Sequence, residues 1–158
     1  AENDGLNCQL IGESFKIQTG VPLYFGVRIQ SVSDATQSDF FIGLAITDTD
    51  ILGGVTDAIG FKKVDGSTAL SFIVTKNSST TTASSLATLA AATDYIFEFH
   101  WDGGLLEVFV DGTSVSMPAL TNLPDDEEMR VSVHFLTGET AAKTLYIDWI
   151  RCFQFGRI

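Results

Sequence analysis

Glu98 and His100 stand two positions apart in the run Asp94-Tyr95-Ile96-Phe97-Glu98-Phe99-His100-Trp101. That spacing puts both side chains on one face of an extended strand. A carboxylate beside an imidazole is equipped for acid–base chemistry, one group taking a proton while the other gives one. The plainer reading of the same pair is a solvated cross-strand contact. His134 alternates in the same way with Arg130 and Ser132, and Asp148 lies on the phase opposite Leu145, Ile147 and Trp149. If their strands are neighbours, Glu98, His100, His134 and Asp148 converge on one sheet surface. Strand order is not written in the sequence, and a charge-compensated exterior is the alternative.

Asp48, Asp50 and Asp57 form the other group with ligand chemistry, since closely spaced carboxylates offer oxygen to Ca2+. The segment lacks the further carboxylates and the turn glycine of an EF-hand loop. Asp48 or Asp50 as the N-cap of a short helix is the favoured role, because an Asp oxygen accepts the free N–H groups of a first turn. The acidic run Asp125-Asp126-Glu127-Glu128 after Pro124 reads as a solvated turn, with docking on a basic partner as the alternative. Neither serine nor cysteine sits in a nucleophile elbow, and no phosphate loop or Cys/His metal spacing occurs. No catalytic residue, cofactor or metal is therefore assigned. Cys8 and Cys152 lie near opposite ends of the chain, and buried, reduced thiols are preferred over a bond between them.

The elements that must position these residues are strands. Val21, Leu23, Phe25, Val27 and Ile29 alternate with Tyr24, Gly26, Arg28 and Gln30. Phe40, Ile42, Leu44 and Ile46 repeat the pattern, as do Tyr95, Phe97, Phe99 and Trp101. Leu106, Val108 and Val110 follow, then Val131, Val133 and Phe135, then Leu145, Ile147 and Trp149. Alternation of this kind builds antiparallel sheets with one face on a core. Asp65-Gly66, Asp102-Gly103-Gly104 and Asp111-Gly112 supply hairpin turns. Further segments near 8–18, 58–64, 68–76 and 114–117 bring the expectation to about ten strands. Residues 77–93 read as a strand and a long loop, and 48–57 as a loop with one helical turn. The aromatics off the core phase are Tyr24, Phe41, Phe109, Tyr146 and Phe155, with Phe72 unassigned. Tyr24 and Phe155 join Glu98, His100, His134 and Asp148 as candidates for a ligand site or interface.

With 158 residues the chain suits a single domain spanning 1–158. Twenty acidic against nine basic residues give a net charge of −11, which repels phosphate backbones and argues against nucleic acid as a partner. No apolar run approaches the roughly 20 residues a membrane helix needs. Residues 1–7 show no basic and no apolar region of a signal peptide, so none is expected. A sequence that is 45% hydrophobic with 12 phenylalanines has the means to build a core. Ten short strands without helices make an all-β, two-sheet antiparallel sandwich.

The C-terminal two-thirds resembles the concanavalin A-like jelly roll of legume lectins, laminin G-type domains and family-16-type glucanases. The likeness rests on Asp94 to Trp101, on Leu106-Glu107-Val108-Phe109-Val110-Asp111-Gly112, and on Leu145 to Gln154. The glucanases' Glu-x-Asp-x-x-Glu motif is missing: Glu2 and Asp4 share its spacing, but Asn7 holds the third position. A narrower likeness covers residues 39–158. Gly43-Leu44-Ala45-Ile46-Thr47-Asp48-Thr49-Asp50, Ile59-Gly60-Phe61 and Phe135-Leu136-Thr137-Gly138-Glu139 resemble head decoration (cement) proteins of tailed bacteriophages. That resemblance implies a non-enzymatic virion protein on the capsid exterior, assembled in the host cytoplasm. Its partners would be the major capsid protein and copies of itself. The alternative is a carbohydrate-binding, lectin-like module, calcium-assisted at Asp48, Asp50 and Asp57, with surface glycans as partners.

Overall fold

The computed structural model describes residues 2–30 and 33–156. Among them are eleven strands and one helical turn, close to the ten strands expected. In chain order they are β1 (Gly5–Gln9), β2 (Leu23–Gln30), β3 (Ser38–Ala45), α1 (Ile51–Gly54), β4 (Ala58–Lys63) and β5 (Ala69–Lys76). Then come β6 (Ser79–Thr88), β7 (Asp94–Trp101), β8 (Leu106–Val110), β9 (Thr113–Ser116), β10 (Arg130–Thr137) and β11 (Tyr146–Gln154). One sheet has six strands in the order β1-β10-β3-β4-β5-β6, and the other has five in the order β11-β2-β7-β8-β9. All pairings are antiparallel. The expected two-sheet jelly roll is the fold observed.

The core lies where the alternation put it. Leu23, Phe25, Val27 and Ile29 of β2 face Phe40, Ile42 and Leu44 of β3, all buried, and Phe97 and Phe99 of β7, the neighbour of β2, pack across the core on β4 and β5. Phe61 sits 5.1 Å from both Phe72 and Phe97, and Phe99 lies 5.2 Å from Phe25 and 5.4 Å from Phe72. Each such pair adds about 0.5–1.5 kcal/mol beyond the area it buries. Phe72 is thereby a core residue. The Asp102 turn forms as expected, its carboxylate accepting from Gly104 N at 2.8 Å and Leu105 N at 2.7 Å. Those bonds to the charged form hold its pKa below the ordinary value.

Three expectations need correction. Residues 8–18 are not one strand: β1 ends at Gln9, and only an isolated bridge between Phe15 and Met129 follows. In β11 the register slips between Ile147 and Trp149, so a bulge at Asp148 exchanges the two faces. Ile150 and Cys152 therefore pack on the core, while Trp149 leaves the inward phase assigned to it. Finally, Cys8 is exposed rather than buried; both cysteines are free, and burial pushes the Cys152 thiol up to about 12.

Candidate functional site

The outward residues of the five-stranded sheet form two rows. Register aligns Phe153 with Tyr24, Tyr24 with His100 and His100 with Glu107 across β11, β2, β7 and β8. One step along, Arg151, Gly26, Glu98 and Phe109 are aligned in the same way. The rings make a continuous strip. Phe153 and Tyr24 lie 5.9 Å apart at 22°, Tyr24 and His100 are 5.0 Å apart, and His100 and Phe109 are 4.8 Å apart. Phe153 is 49% exposed and His100 is exposed, so the strip meets solvent.

Gly26 sets the posture of Tyr24. A Cβ at Gly26 would lie 2.2 Å from the Tyr24 hydroxyl and 2.8 Å from its Cζ. Only a glycine lets the ring lie down across the strand, and lying down brings its hydroxyl to Glu98. The hydroxyl donates to Glu98 Oε1 at 2.7 Å. Burial first, then the Glu98 carboxylate, push the Tyr24 pKa up to about 12, so the phenol stays a donor. Glu107, whose Oε1 accepts from Ser114 Oγ at 2.6 Å, stands diagonal to Glu98 across the β7–β8 pair.

Charge collects to one side of the strip, beyond Gly26 along β2. Arg28 donates to Asp148 Oδ2 at 3.0 Å and to Asp94 Oδ2 at 2.9 Å. All three side chains are about half exposed, so the bridges contribute at most about 1 kcal/mol each and serve to neutralise the arginine. Beside them Arg151 rests 4.4 Å above the Trp149 ring. The bulge at Asp148 is what turns Trp149, Arg151 and Phe153 outward together.

Of the six candidates, Tyr24, Glu98, His100 and Asp148 share this face. His134 does not join them, because β10 belongs to the six-stranded sheet. There it is buried beneath α1, its Nδ1 accepting from Leu52 N at 3.2 Å, and burial pulls its pKa down. The four-residue convergence is therefore replaced by a three-residue one on the face. Phe155, 63% exposed, follows the end of β11, its N–H donating to Pro22 O at 3.1 Å.

Asp48, Asp50 and Asp57 do not fit a calcium site. Asp48 Oδ1 accepts from Asp50 N, and Asp50 caps α1 by accepting from Gly53 N at 3.0 Å, the favoured helix-cap role. Asp57 is buried and accepts from Asn77 N. Their oxygens are thus aimed at separate backbone donors, and no metal-holding group of His, Cys, Asp or Glu occurs among the described residues.

Trp149, Arg151 and Phe153 are the site residues sequence reasoning missed. Their own spacing of two was a signal, hidden because the Leu145, Ile147, Trp149 phase read straight through the bulge. Chemically, the strip offers ring faces for stacking, a carboxylate and hydroxyl pair for hydroxyl groups, and an imidazole.

No family model matches the chain, and no curated protein matches it. The fold, however, is widely shared. It is similar to an endo-1,3-β-glucanase from Streptomyces sioyaensis, with TM-score 0.66 and 11% identity over 96% of this chain and 70% of that one. A native glycosidic hydrolase matches with TM-score 0.59 and 15% identity, over 82% of this chain and 64% of its own. CG-16, a homodimeric agglutinin from chicken liver, matches with TM-score 0.50 and 11% identity over 95% of this chain and all of its own, 100%. The chain thus spans less than two thirds of the glycosidic hydrolase. These likenesses overturn the expectation of a chain without catalysis, because glycoside hydrolases share its architecture. None of the three is a capsid protein. At such identities the shared property is the fold, a concanavalin A-like jelly roll.

Proposed function

We propose that the protein is a carbohydrate-binding domain that takes a neutral glycan on the outer face of its five-stranded sheet. The observation that carries this reading is the strip Phe153–Tyr24–His100–Phe109, with the Tyr24 hydroxyl fixed on Glu98. Sugar rings present an apolar C–H face and a polar edge, and this strip presents ring faces with a hydrogen-bonding pair beside them. The local charge favours a neutral ligand, since Glu98 and Glu107 repel anions, Arg28 is paired with Asp94 and Asp148, and Arg151 is held on the Trp149 ring. The solved structures of the same fold, glycoside hydrolases and an agglutinin, support the reading. The test is calorimetric titration with soluble β-1,3- and β-1,4-glucan oligosaccharides, scored beside reducing-sugar release. Binding lost in Tyr24→Ala and Phe153→Ala, with folding retained, is the expected result. A full affinity in both variants, or no binding to a broad panel of neutral glycans, would overturn the proposal.

A second reading has one observation of its own. Leu6, Leu10 and Ile11 are 62%, 56% and 101% exposed along and just beyond the edge strand β1, a surface suited to protein contacts. Together with the likeness of residues 39–158 to head decoration proteins, it supports display on a virion, with the major capsid protein as partner. Fixed-stoichiometry co-purification with particles is its test.

A further inference from the structure

The outer face of the six-stranded sheet is the opposite of the aromatic strip. Between α1 and strands β4 to β6 runs a half-open trough of about 460 Å³. Its floor carries Lys62, Ser71, Thr80 and Thr82 around Ile73, and its wall is the apolar side of α1, with Ile51 and Val55. The hydroxyls of Thr75 and Thr80 are joined at 2.9 Å.

Lys62 is out of place in a chain of net charge −11. Arg28, Lys76, Arg130 and Lys143 are each paired with carboxylates. Lys16 donates to the Asp126 carbonyl, buried Lys63 donates to the Ser38 carbonyl, and Arg151 lies on Trp149. Lys62 has neither a hydrogen-bond nor an ion-pair partner among the described residues, and it faces the trough. An unpaired ammonium beside several hydroxyls, walled by apolar side chains and with no carboxylate in the lining, is complementary to a small anion carried on a partly apolar, hydroxyl-rich body.

We propose that this trough binds an acidic sugar, a uronate unit whose carboxylate pairs with Lys62. Ser71, Thr80 and Thr82 meet its hydroxyls, and its apolar ring face rests on Ile73 and Ile51. The site is independent of the aromatic strip, lies on the other sheet and selects an anionic rather than a neutral ligand.

The experiment titrates the protein with an oligogalacturonate and with its methyl ester, which keeps the ring and removes the charge. The acid form binds, and the ester binds about tenfold more weakly, the loss expected for one charge-assisted hydrogen bond. Lys62→Gln lowers affinity for the acid form by the same factor, Lys62→Arg retains it, and Tyr24→Ala leaves it unchanged. Lys62 is partly exposed and unpaired, so both variants fold, which a thermal melt verifies. Equal binding of acid and ester, no binding of the acid form, or indifference to Lys62→Gln overturns the proposal. Loss in Tyr24→Ala alone would place the ligand on the strip and overturn it as well.

Discussion

Both outer sheet faces carry an aromatic ring laid over a glycine, with different fates. On the six-stranded sheet Phe41 leans over Gly60, whose Cβ would lie 3.0 Å from the ring's Cζ. On the five-stranded sheet Tyr24 leans over Gly26. Phe41 is then roofed by α1, packing with Ile51, Val55 and Ile73, and is 1% exposed. Tyr24 has no roof, only neighbouring rings and Glu98. The same local device therefore builds a second small core on one face and an open strip on the other. What decides between them is the Asp48–Asp57 loop, folded down by the Asp50 cap and the His134–Leu52 bond.

The comparison breaks most visibly on substitution of the two rings. Phe41→Ala is expected to cost about 3–5 kcal/mol, as large-to-small changes at buried aromatics do. Tyr24→Ala is expected to cost about 1 kcal/mol, nearer the range of surface changes. Urea unfolding of the pair measures this, and equal losses would mean the strip is a structural core. The glycines sharpen it further. A Cβ at Gly60 meets the backbone of β3, 2.6 Å from Ile42 O, so Gly60→Ala should cost about 1–3 kcal/mol. A Cβ at Gly26 meets only the movable end of Tyr24. Gly26→Ala should therefore leave stability nearly intact while lifting the hydroxyl off Glu98 and weakening glycan binding, seen by calorimetry. Tyr24→Phe, which removes only that bond, should cost about 0.5 kcal/mol, the low end for a part-exposed hydrogen bond.

The roof also has a pH dependence, set by His134. His134 is desolvated, and this lowers its pKa although Asp50, Asp48 and Asp39 pull the other way. Neutral His134 accepts the Leu52 N–H, and a proton on Nδ1 removes that acceptor. The unfolded chain thus binds the proton more readily than the folded one. The contribution of His134 is complete above its ordinary value of 6.5 and is lost as pH falls towards the lower folded value. Urea midpoints measured from pH 7 to pH 5 should fall, and less so in His134→Gln, which keeps an acceptor.

The sequence made the sandwich legible because burial enforces period two on β2, β3, β7, β8 and β10, whose inward residues are apolar almost without exception. It hid the site where period two fails. The bulge at Asp148 shifts β11 by one residue, so a reader counting from Leu145 places Trp149 inside and overlooks Arg151 and Phe153. His134 was misplaced for another reason. Alternation gives the face of a strand but neither its sheet nor the loop that covers it. The short helix was readable at Asp50, because capping is local chemistry. Lys62 and the trough were not, since strand neighbours bring that floor together.

The most direct test of glycan binding on the open face is a nuclear magnetic resonance titration of aromatic side-chain signals with neutral glucan oligosaccharides. The expected result is concerted shifts of Tyr24, Phe153, His100 and Phe109, with Phe41 and the core phenylalanines unmoved. Shifts confined to residues of the trough, or none at saturating oligosaccharide, would contradict it.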